Sequence, residues 1–286
     1  MAVTLSVPVD SPYPRLSLYN SPYDAHDRGC AVDLYPASNT APSPVAGEVV
    51  DTRTVTAPEQ PYAVEHDHLI LIDVDRSRSP VERPDGDGLV ARVLHVDPAV
   101  EPGDTVGVGD SIGEMIRSGF FAPWVDNHLH LGFRDPDANP YRAAGSLPLS
   151  LDADVRPLDW DGTGRVVESA ETYVVLDAPV HPEPDTYYAG VGADDGGVLD
   201  GGLPHYTGGG LLAGGGDGSV SLFGDSVGVA DGRTVAWDDV TVSANGDPVT
   251  GLSLFFGRDR TGAKLVCPDA DFAAGDRVCV TVTNRH

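Results

Sequence analysis

Two histidines stand two positions apart in the stretch "DNHLHLGFR", residues 126–134. Residues i and i+2 of a strand share one face, so a strand here would set the His128 and His130 imidazoles side by side. Such a pair can ligate one metal, or one ring can ligate while the other moves a proton. A pair of half-buried surface histidines needs neither. Two further histidines lie on or beside apolar runs upstream. His26 sits in "AHDRGCAVDLYP", with Asp33 seven positions on and with Asp24 and Asp27 nearby, and His95 sits in "VLHVD". Imidazole nitrogen and carboxylate oxygen are the donors that zinc accepts, and catalytic zinc keeps three protein ligands plus one open position.

The elements that would hold these side chains are strands. "AVDLYP", "PVAGEVVDTRTV", "HLILIDVD", "LVARVLHVD", "SIGEMI" and "LHLGFR" are short runs rich in valine, isoleucine and leucine, separated by Gly, Pro and Asp turns. No helical pattern of 11 or more residues is found in the first 140. The segment 75–88, "DRSRSPVERPDGDG", reads as a polar surface loop. The expected organisation is an N-terminal extension or first strand over 1–19, a β domain over 20–135, a linker over 136–149 and a β-sandwich-like domain over 150–286. Residues 190–232 hold 16 glycines in 43 positions. They are read either as tight turns between very short strands or as a mobile loop.

Charge narrows the partners. The chain has 286 residues, 44 of them acidic and 18 basic, for a net charge of -26. This resembles a protein of an extreme halophile, where a carboxylate-rich surface stays soluble in molar salt. Nucleic acid and anionic lipid recruit basic patches, so neither is expected as a partner. No apolar run approaches 18 residues and no signal peptide is visible, so the expected location is cytoplasmic. Cys30, Cys267 and Cys279 form neither a disulfide framework nor a CxxC metal knuckle.

Taken in order, these pieces resemble the lysostaphin-type zinc endopeptidases. The matching segments are His26–Gly29–Asp33, "SPVAGEVV" at 43–50, "HLILID" at 68–73, "LHV" at 94–96, "VEPGDTVGVGDSIG" at 100–113 and "HLHLGF" at 128–133. The resemblance covers residues 20–135 and implies an all-β barrel-sandwich hybrid, the duplicated hybrid motif. It implies zinc held by His26, Asp33 and His130, with His95 and His128 as the acid–base pair, and a peptide or amide substrate. One departure stands out. The family's step from the first histidine to the aspartate is usually four positions, not seven. On a plain strand seven positions point to opposite faces, so a bulge or a loop containing Gly29 must restore convergence, or Asp27 or Asp24 takes the ligand's place. "SPVAGEVV" and "VEPGDTVGVGDSIG" are also similar to the halves of a biotinyl or lipoyl carrier. The only lysine is Lys264, far from the hairpin that would need one.

Overall fold

The computed structural model describes residues 2–214, 216–259 and 261–285. It is all-β. The one α-helix among the described residues is a single turn, Asp24–Asp27. None of the described helices is long and apolar enough to cross a membrane. By its internal contacts the chain forms two compact units. One comprises Met1–Pro14 and Arg28–Ala153, the other Arg15–Asp27 and Asp154–His286.

In the first unit, the strands Gly47–Thr56, His66–Val74, Val90–Leu94, Leu129–Arg134 and Ala31–Tyr35 pair antiparallel in that spatial order. Their register sorts the side chains. Val32 and Leu131 face each other, as do Leu34 and Leu129, and Val93 lies between Leu131 and Ile70. All six are fully enclosed. Burying each such aliphatic group stabilises the fold by roughly 1.5–3 kcal/mol. The alternate residues fall on the opposite face, where Asp33 stands opposite His130 and Arg92 opposite Gly132. One face therefore supplies the core and the other presents polar groups.

The segment 75–88 is not a loop throughout. Val81–Glu82 forms a short strand against Val3–Ser6, and Leu149–Asp152 pairs parallel on the other side of Val3–Ser6. Val81 is buried, and that one apolar side chain is enough to draw a polar stretch into a sheet edge.

The second unit is a mainly antiparallel sheet system, with Val155–Leu158 and Tyr188–Val191 pairing parallel, and some of its strands alternate inward and outward. In Arg277–Asn284, Val278, Val280 and Val282 are buried while Arg277, Cys279 and Thr281 are exposed, the pattern of a sheet with one solvated face. The glycine-rich stretch is ordered as Val198–Leu203, Gly208–Leu212, Gly218–Leu222 and Asp225–Asp231. Close approach explains its composition. A Cβ on Gly210 would collide with the Tyr19 ring, and one on Gly209 with the Trp237 ring. The three cysteines are free thiols. Lys264 is buried, with its ammonium 3.7 Å from the centre of the Tyr173 ring.

Candidate metal centre

The seven-position step between His26 and Asp33 is not spanned by a strand. His26 lies on the Asp24–Asp27 turn, whose backbone bond from His26 N–H to the Tyr23 carbonyl is 2.8 Å. Gly29 then takes φ = 57°, a left-handed conformation that glycine adopts without strain. The strand Ala31–Tyr35 follows and carries Asp33.

Of the three residues that the resemblance makes ligands, Asp33 and His130 stand opposite each other in the first unit and His26 lies in the second. Asp33 is the carboxylate beside His130. Two imidazole nitrogens and one carboxylate oxygen are a zinc donor set. The His26 ring is fixed on its far side, where Nδ1–H donates to the Leu18 carbonyl at 2.6 Å. That bond sets the tautomer and leaves Nε2 as the donor nitrogen, the arrangement that orients metal-ligating histidines generally. His130 Nδ1 is 3.1 Å from Asp33 Oδ1.

Behind Leu18 stands a residue that the sequence did not single out. Asp200 is fully buried. It accepts hydrogen bonds from Ser17 Oγ at 2.5 Å, Leu18 N–H at 2.6 Å and Tyr19 N–H at 3.1 Å. These three bonds fix the peptides on both sides of the carbonyl that orients His26. Burial pushes the Asp200 carboxyl up to about 7, against the lowering effect of its three donors and of His26.

His128 precedes the strand Leu129–Arg134 by one residue yet turns to the same side as His130. Its Nε2 is 3.3 Å from Asp33 Oδ1, while its Nδ1–H donates to the Asp126 carbonyl at 2.9 Å. The Phe121 ring stacks on it with centroids 4.4 Å apart. The His95 ring meets those of His128 and His130 edge-on, at centroid distances of 5.3 and 5.8 Å.

His95 has φ = 71°, an uncommon conformation for a residue with a side chain. Asp67 holds it there. Asp67 Oδ1 accepts the His95 backbone N–H at 3.0 Å and Oδ2 accepts His95 Nδ1–H at 2.5 Å. Ser118 Oγ and the His68 N–H supply two more donors, each at 2.6 Å. Burial raises the Asp67 carboxyl, but His95, Ser118 and the His68 N–H outweigh it and hold Asp67 at about 2. Burial also pushes the His95 imidazole below its ordinary value, with Asp67 opposing. The bond to Asp67 selects the neutral tautomer in which Nδ1 carries the proton and Nε2 is the acceptor. The only signal for Asp67 in the sequence is its place between two histidines in "HDH", where strand alternation turns it inward. An Asp67→Asn change would meet two donors with an NH2 group. It is expected to lower stability by ~2 kcal/mol in urea unfolding while zinc still binds; unchanged stability would show that the four bonds do not matter.

His205 lines a cleft of the second unit with Tyr206 and Trp237.

Residues 4–151 match the family model described as the N-terminal domain of DUF8155, a domain of unknown function, and residues 156–283 match that of its C-terminal domain. No curated protein and no solved structure matches the chain.

Proposed function

Given that the chain belongs to the DUF8155 family, whose description names no chemistry, we propose from the site alone that the protein is a zinc-dependent hydrolase of peptide or other amide bonds. The observation that carries this reading is Asp33 in contact with His128 and His130 beside an oriented imidazole base. His26, Asp33 and His130 would hold the zinc. Bound there, it would supply Lewis acidity and a water of lowered pKa. The rest falls to the chain's own groups. Asp67 keeps the proton on His95 Nδ1, so Nε2 is the atom that accepts a proton from water. His128, anchored through Nδ1–H on the Asp126 carbonyl, presents Nε2 beside Asp33. A proton at that Nε2 is the donor available to the oxyanion of an attacked carbonyl.

The ordered segments that resemble lysostaphin-type endopeptidases support the same chemistry, and with it a duplicated hybrid motif for the first unit. The acidic composition supports a halophilic, archaeal source and a cytoplasmic location. An ordinary peptidoglycan substrate is then disfavoured. The second reading is a zinc-binding protein without turnover. One observation favours it: His95 and His128 are 6% and 3% exposed, which leaves little room for a substrate to reach them.

Protein purified in molar salt without added metal is expected to contain about one zinc per chain and to cleave members of a glycyl- and alanyl-peptide panel. Zinc without cleavage selects the second reading. Absence of zinc, with none taken up on titration, defeats both.

A further inference from the structure

On the sheet face that carries Asp33 and His130, further along the same strands, lie two buried arginines. Arg92 stands opposite Gly132, and Arg134 stands opposite Val90, so the two side chains are diagonal neighbours. Arg92 is 6% exposed and Arg134 1%. Among the described residues neither has a carboxylate partner, in a chain with 44 acidic residues. Arg134 Nη2 donates to the carbonyls of Arg142, Ala143 and Ala144. Its Nε and Nη1, and the Nε of Arg92, are buried with no acceptor. The Ser146 hydroxyl is buried with no partner as well, and it would lie 3.1 Å from a Cβ on Gly132. Gly132 thus lets the Ser146 hydroxyl approach the strand beside the two arginines.

Two adjacent guanidiniums repel each other, and burial penalises both. Each lowers its ordinary basicity here: Arg92 falls to about 10 through burial and the Arg134 charge. Buried N–H groups without acceptors are rare in folded proteins, and an arginine pair presents donors suited to a small anion. We infer that Arg92, Arg134 and Ser146 form an anion site beneath the 142–146 strap that takes one monovalent ion of halide or carboxylate size. Four residues of strand, roughly 13 Å, separate His130 from Arg134, while Arg92 is a diagonal neighbour of His130; the anion would be held by the arginines and Ser146 and needs no metal.

The test uses the full chain at constant sodium concentration, with chloride, formate or gluconate as the anion. Gluconate is too bulky to fit under the strap and serves as the reference. The melting temperature is expected to rise by about 3 °C for each tenfold increase in chloride or formate above its Kd. Whichever of the two gives the larger rise identifies a halide or a carboxylate site. Arg92→Gln should abolish the rise. Crystals of the wild type soaked in bromide should show an anomalous peak within hydrogen-bonding distance of Arg92 and Arg134, a readout that holds even if the variant does not fold. Equal melting in all three salts or a rise that persists in Arg92→Gln overturns the proposal, as does the absence of a bromide peak where chloride gives the rise.

Discussion

Replacing His130 with alanine is expected to strip the protein of zinc and of any hydrolysis together. In the proposed site His130 is one of three zinc ligands, and two protein ligands do not retain a catalytic zinc. Asp33→Ala should do the same, whereas Asp27→Ala should bind zinc as the parent does. His128→Ala separates the roles. His128 touches Asp33 through Nε2 at 3.3 Å but lies outside the ligand group. Zinc should therefore stay close to stoichiometric while turnover falls by roughly 10²–10⁴-fold, the range for loss of an acid–base group. Metal analysis and peptide hydrolysis on the same samples, in molar salt, read both quantities. If His128→Ala loses zinc and His130→Ala keeps it, the assignment along "HLH" is reversed.

The second large effect concerns Asp200 and pH. Its carboxyl is pushed from 3.8 up to about 7 in the folded chain. Between those values the native state holds a proton that the unfolded state releases. The favourable contribution is complete below about 3.8 and is lost as pH rises through about 7, the sign for a raised folded value. Three units correspond to ~4 kcal/mol. Asparagine mimics the protonated acid: its oxygen can accept from Leu18 and Tyr19, and its NH2 can donate to Ser17 Oγ. In metal-stripped protein, Asp200→Asn should exceed the wild type in urea unfolding by ~2 kcal/mol at about pH 5 and by up to ~4 kcal/mol at about pH 8. A stability difference that does not change with pH would show that Asp200 is ionised throughout.

Much of the first unit was legible because strands betray themselves by composition and punctuation. The runs around Val32, Ile70, Val93 and Leu131 are apolar and bounded by turns, and all became sheet. His26, Asp33, His95, His128 and His130 could be named because imidazoles are scarce and their segments occur in a telling order. What stayed hidden depended on register or on distant sequence. Asp67 was masked by the two histidines beside it, since alternation alone does not say which face is inward. Asp200 lies 182 residues from the Leu18 backbone that it holds, and no local pattern links them. The Arg92–Arg134 pair exists only once two strands are aligned. Val81 was lost in a polar stretch where a two-residue strand leaves no periodic trace.

The rings of Tyr19 and Trp237 lying over Gly210 and Gly209 carry a consequence for inheritance. Every missense change of a glycine codon adds at least a Cβ, and at these two positions that atom has no room. Gly201, paired with Gly209 at φ = 126°, is closed to side chains for conformational reasons too. Across descendants of this gene, the three codons should accumulate silent changes only. A patch of unvarying sequence will then appear in the C-terminal domain that marks packing rather than catalysis, and a search for active-site residues by invariance alone would be drawn to it.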